Sequence, residues 1–97
     1  MIATNKDVSQ LLRSIAAAYI IKKESRFLIA AYQKAADIVE QSTREIRDVW
    51  QDGKLDEVPG IGSAIAGYLD EYFRMGKVKH FEYVFRGIPE TVFVLMN

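Results

Sequence analysis

The run Leu55-Asp56-Glu57-Val58-Pro59-Gly60-Ile61-Gly62-Ser63-Ala64-Ile65-Ala66 specifies its backbone more narrowly than any other part of the chain. Pro59 fixes its own φ and pushes Val58 toward an extended conformation, while Gly60 and Gly62 permit a positive φ or a close approach that a Cβ would block. A tight turn is therefore expected here. Ser63 can cap a helix that starts beyond it, and Ala66, Leu69 and Phe73 recur at helical spacing, so the turn should open directly into that helix. The unpaired amides at such a helix start, together with the positive end of its dipole, make a ready seat for a phosphate.

The remaining segments read as helices. Thr4 with Asp7 has capping-box spacing, and Val8, Leu11, Leu12, Ile15 and Tyr19 mark the apolar face of a first helix. The charged stretch Lys22 to Arg26 interrupts it. A second helix is expected from Ser25 or Arg26 to about Glu40, burying Leu28, Ala31, Tyr32, Ala35, Ile38 and Val39. Ser42 and Glu45 suggest a capping box for a third, which carries Ile46, Val49 and Trp50 inward and stops at Gly53. Lys54 to Glu57 and Ser63 to Met75 form the two limbs around the tight turn, with Gly76 as a C-terminal stop. Val78 to Arg86 reads as a short helix, and Pro89 should restart another. Period-two alternation is absent, so the expected class is all-α. The architecture is a compact helical bundle of four principal helices with one or two short C-terminal ones, its core closed by Tyr19, Trp50 and a Phe73–Phe81–Phe85 set.

With 97 residues the chain makes one domain. The absence of cysteine removes disulfides, zinc-thiolate sites and thiol nucleophiles. Apolar runs such as Ile15 to Ile21 are too short to cross a bilayer, and no signal-peptide layout opens the chain, so a soluble, cytoplasmic protein with no membrane partner is expected. Thirteen basic residues balance thirteen acidic ones, so no overall field draws in nucleic acid and any such affinity must be local and weak. The apolar run Thr91 to Met96 needs a cover. It is expected to mark a boundary within a longer polypeptide, with homodimerisation the expected artefact of an isolated domain.

Val58-Pro59-Gly60-Ile61-Gly62 with Ile65, Ala66 and Leu69 resembles the helix-hairpin-helix motif of DNA-binding proteins. With Ala31-Tyr32-Gln33-Lys34-Ala35-Ala36, Asp70-Glu71-Tyr72 and Met75-Gly76-Lys77 around it, nearly the whole chain, residues 1–97, resembles the N-terminal domain of family X DNA polymerases. The resemblance implies non-sequence-specific binding to the phosphates of gapped or 5′-end DNA, in repair or synthesis, with the polymerase body next in the same chain. Expected contacts are Gly60, Ile61, Gly62, Ser63, Ala64 and Ile65 in the hairpin, with Lys77 and Lys79 near enough to help. His80 falls where relatives carry a basic residue that contacts a 5′-phosphate. Tyr32 resembles a tyrosine near the DNA-end pocket, although its spacing makes it a core aromatic first. The resemblance also implies a Na⁺ or K⁺ ion on the backbone carbonyls of Asp56, Val58 and Ile61. Divalent metal belongs to the polymerase body, which these residues do not include.

One departure matters for chemistry. Relatives with deoxyribose-phosphate lyase activity carry a Schiff-base lysine where this chain has Tyr68, and an assisting lysine where it has Ala64. Neither side chain can form an imine. Phe27 and Leu28 likewise replace phosphate-contacting positions. No catalytic residue is therefore assigned, and nucleotidyl transfer is expected downstream. The pairs Asp56-Glu57 and Asp70-Glu71 read as solvated surface, and His80 has no partner in the sequence for a triad or a zinc site. Two alternatives stay open: a lyase using a relocated Lys77, Lys34 or Lys54, and a protein-interaction module built on the same hairpin.

Overall fold

Two helices, α1 (Asn5–Ile21) and α2 (Arg26–Gln41), form an antiparallel pair in the computed structural model, which describes residues 3–88. Tyr19 packs edge-on against Tyr32 at 5.4 Å between ring centroids, while Arg13 reaches Asp37 at 2.9 Å and Glu40 at 2.6 Å. Residue numbers rising on one helix as they fall on the other fix the direction. The seam is made of Val8, Leu12, Ile15 and Ala18 from α1 and Ala35, Ala36 and Val39 from α2, all buried. Alanines there let the helices approach closely. The Arg13 fork is exposed and adds little stability beside that apolar seam.

Local signals set the ends of these helices. Thr4 Oγ1 accepts from the Asp7 amide at 3.2 Å, and the Thr4 amide donates to Asp7 Oδ2 at 3.0 Å, so the expected capping box forms. Ser25 caps α2 by accepting from the Leu28 amide at 3.2 Å. Gly53 and Gly76, at φ of 72° and 77°, supply the left-handed residues after α3 (Ile46–Gln51) and α4 (Ser63–Met75). A single 3₁₀ turn, Leu55–Glu57, lies between α3 and α4, and α5 (Lys79–Phe85) comes after Gly76. No strand occurs among the described residues, and no described helix is long and apolar enough to cross a membrane. Pro89 and the apolar run Thr91 to Met96 lie outside the described residues.

Three expectations need correction. The Ser42 and Glu45 capping box does not form: Ser42 Oγ turns to the backbone of Arg44, accepting from its amide at 3.3 Å and donating to its carbonyl at 2.8 Å. Glu45 is the N-cap of α3 but gives no side-chain cap. Asn5 takes that role from the start of α1, with Oδ1 accepting from the Ile46 amide at 2.7 Å and Nδ2 donating to the Arg44 carbonyl at 2.8 Å. Its own amide donates to Glu45 Oε2 at 2.8 Å.

The Phe73–Phe81–Phe85 set also divides. Phe73 packs on Trp50 at 5.2 Å, whereas Phe81 packs on Tyr68 at 5.2 Å and on Tyr32 at 6.0 Å. Tyr68 and Phe73 stand five residues apart on α4, about 140° around its axis, so one side cannot serve both. Finally, Ala31 is exposed and Leu28 half-buried, because they face away from α1 toward a gap between α4 and α5.

Candidate phosphate-binding hairpin and adjoining cleft

The Ile61 amide donates to the Val58 carbonyl at 3.2 Å, closing a four-residue turn with Pro59 second and Gly60 third. Gly60 has φ of +89°, as the third position of a type II turn requires. Space demands glycine there as well: an added Cβ would run into Ile38 Cδ1 and stand 3.2 Å from Lys34 Cε. Gly62 differs from the expectation. Its φ is −70° and nothing lies within 4 Å of an added Cβ, so no contact inside the protein calls for glycine.

Gly62, and not Ser63, is the N-cap of α4; Ser63 already belongs to the helix, and no side chain caps the start. The first bond into the helix runs from the Ala66 amide to the Gly62 carbonyl at 2.9 Å. The amides of Ser63, Ala64 and Ile65 therefore precede any helical acceptor and point outward along the axis. Ile61 and Ile65 are 5% and 4% exposed, so their side chains anchor the hairpin inward, while Gly62, Ser63 and Ala64 between them are exposed. Lys34, on α2, extends beside the turn and is exposed.

The structure separates the other expected contacts. Lys77 stands just past Gly76, at the far end of α4; that 13-residue helix is about 20 Å long, so Lys77 lies well away from the amides. Lys79 is exposed, and its amide donates to Glu71 Oε2 at 2.8 Å. Only His80 comes to the hairpin side. Its ring stacks on Tyr68, with centroids 4.9 Å apart and planes 7° apart, and Nε2 lies 3.1 Å from the Tyr19 hydroxyl.

His80 and Tyr68 help enclose a cleft of about 450 Å³ that reaches Gly62, Ala64 and Ile65 on the hairpin. Leu28, Ala31 and Tyr83 line it too, with Lys22 and Glu24 as its charged members. The Lys22 ammonium sits 5.6 Å from the Tyr83 ring centroid. Tyr32 forms part of the wall but is only 2% exposed, which makes it a core residue. Burial raises the pKa of both Tyr32 and Tyr19 above the ordinary phenol value, so each hydroxyl stays protonated near neutral pH.

Asp70 and Glu71 are surface acids, as expected, and both are hydrogen-bonded: Glu71 Oε2 accepts from the Lys79 amide at 2.8 Å. Asp70 accepts from Trp50 Nε1 at 2.7 Å and from Arg74 Nε at 3.0 Å, and the indole donor, then the guanidinium, hold its carboxyl below the usual range. No group of three or more His, Cys, Asp or Glu side chains among the described residues is placed to hold a metal ion. Of the carbonyls expected to hold a monovalent cation, Val58 already accepts the Ile61 amide and retains a second lone pair, while Asp56 and Ile61 flank it along the chain.

Lys34 beside the hairpin is the site residue that sequence reading placed elsewhere. Lys34 and Ile38, four apart, share one face of α2, and that spacing was visible. That the turn at Gly60 would lie on this face was not.

Comparison with known proteins gives two results. The helix-hairpin-helix domain family matches residues 3–78. The DNA polymerase/3'-5' exonuclease PolX of Bacillus subtilis (strain 168) is 29% identical over 92 residues, covering 95% of this chain and 16% of that relative. The chain therefore spans 16% of the length of the curated relative it matches.

Proposed function

The chain belongs to the helix-hairpin-helix domain family, and from that membership we propose that it binds DNA without sequence preference, as one domain of a family X-like polymerase. The observation that carries this reading is the start of α4, where the amides of Ser63, Ala64 and Ile65 have no helical acceptor, following a Gly60 turn that Lys34 lies beside. Amides and an ammonium meet phosphate oxygens and carry no information about base identity. A zero net charge limits the attraction to this patch, so affinity is modest. His80, on the hairpin side, extends the contact, and the gapped or 5′-ended DNA of repair synthesis fits a domain that grips a backbone at one helix start.

Polymerisation belongs to the remainder of such a protein. The relative named for polymerase and 3'-5' exonuclease activities is several times longer than this chain, and both activities would lie outside these residues. Deoxyribose-phosphate lyase activity is absent from the domain, because Tyr68 and Ala64 stand where the lysines would be. A Na⁺ or K⁺ ion suits the neutral, hard carbonyl oxygens of Asp56, Val58 and Ile61, and would add positive charge beside the bound phosphate. The protein works inside the cell, where its DNA is.

Salt dependence tests the reading. With about two to four phosphates neutralised, log affinity should fall with log salt at a slope of roughly −2 to −4, and Lys34→Ala should reduce that slope by about one. Salt-insensitive binding, or a Lys34→Ala variant with the parent's slope, would overturn the assignment.

A further inference from the structure

We propose that the cleft beside the hairpin receives an unpaired nucleobase of the bound strand, taking an intact base in preference to an abasic sugar. The inference rests on the hairpin holding a phosphate of that strand. Gly62 and Ala64 belong both to the hairpin and to the cleft wall, so a nucleotide whose phosphate meets the first amides of α4 has its own base or sugar at the cleft.

The cleft chemistry selects between these two groups. At about 450 Å³ it falls within the range of small-ligand sites, about 300–1,000 Å³. Its surface is ring and hydrocarbon, with the stacked His80–Tyr68 pair, Leu28, Ala31 and a Tyr83 that is 64% exposed. A planar base loses apolar area to such walls and stacks on them. A ring-opened or cyclic sugar has no aromatic face to stack and covers less of that apolar wall.

Lys22 and Glu24 cancel in charge, and no buried side-chain polar atom among the described residues lacks a partner. His80 Nε2 and the Tyr19 hydroxyl occupy one another. With no buried side-chain donor or acceptor left over to match one base, the pocket reads the presence of a base and not its identity.

The test uses the 97-residue chain and nicked duplexes bearing one unpaired nucleotide at the 5′ side of the nick. That nucleotide is either thymidine or its tetrahydrofuran analogue, which has no base. The base-bearing DNA should bind about five- to tenfold more tightly, in line with one base stacked on aromatic side chains. Tyr83→Ala, which removes an exposed ring, and Ala31→Phe, which fills the cleft, should erase that difference while tetrahydrofuran DNA binds as before. Equal affinity for the two DNAs in the parent, or tighter binding of the tetrahydrofuran form, overturns the proposal. So does a difference that survives both substitutions. Gly62→Val separates this from failure of the hairpin reading: if the hairpin holds phosphate, that variant weakens binding to both DNAs, whatever the cleft does.

Discussion

The Tyr19 hydroxyl stands 3.1 Å from Nε2 of His80, joining α1 to α5 across 61 positions of sequence. Tyr19 also packs on Tyr32, and His80 stacks on Tyr68, so this one contact ties two further rings of the cleft, His80 and Tyr68, to the main helix pair. Tyr19→Phe keeps the ring and removes the bond. It should cost about 0.5–1.5 kcal/mol in urea denaturation, and a cycle with His80→Phe should recover coupling of that size. Additive single losses would mean that the two groups do not interact in solution.

Gly60 and Gly62 should separate stability from binding. Gly60→Val places a branched side chain at a positive φ and against Ile38, and should destabilise the fold by roughly 2–4 kcal/mol. Gly62→Val meets open space at an ordinary φ, so its cost should stay below about 1 kcal/mol. DNA affinity should nevertheless fall at least about tenfold, because a Cβ and two methyl groups hold a phosphate off the amides. Thermal melts and salt-matched binding of both variants give the answer; a stable Gly62→Val that binds like the parent would move the site away from the hairpin.

Borohydride trapping on 5′-incised abasic DNA should give no adduct above that of an unrelated lysine-bearing protein. An imine needs an uncharged amine within bonding distance of the aldehyde carbon, and the cleft positions that would supply it hold Tyr68 and Ala64. Tyr68→Lys combined with Ala64→Lys should create trapping, since both positions line the cleft and would bring an amine to it. Efficient trapping by the parent, lost on changing Lys22 or Lys34, would show a relocated nucleophile.

Asp70 should govern part of the acid limb of stability. Its folded pKa lies below the ordinary 3.8, through the Trp50 indole and then Arg74. A depressed carboxylate pKa contributes stability above the unfolded value and loses it as pH falls through the folded one, so the loss belongs below about pH 4. Asp70→Asn keeps an acceptor for Trp50 and removes the charge. Between pH 5 and pH 2 its melting temperature should fall less than the parent's, and the fluorescence of the sole tryptophan should lose its acid transition. Parallel pH profiles would count against this linkage.

Where a signal and its partner lie within one turn of each other, the sequence was legible. Thr4 with Asp7, Ser25 before α2, Gly76 after α4 and the Pro59-Gly60 turn all do in the fold what their spacing predicts. Distant partners defeated the same reasoning. Ser42 and Glu45 have capping-box spacing, yet Asn5 competes for the Ile46 amide from 41 residues away. Lys34 reads as an exposed helical lysine until the turn at Gly60 folds onto its face. The hairpin was thus readable as a backbone, and the cleft beside it was not, since its walls come from four helices.

The bonds of Asn5 make one helix conditional on another. Helix α3 has six residues, far short of the ~12–15 that an isolated helix needs, and its start is held by a side chain from the first turn of α1. Removal of residues 1–7 should therefore release more than a terminus: backbone amides of Ile46 to Gln51 should exchange with solvent as fast as those of the trimmed end. The segment that leads into Leu55 and the hairpin would lose its fixed starting point, so a cut at the first turn of the chain would be felt at a turn more than fifty residues away.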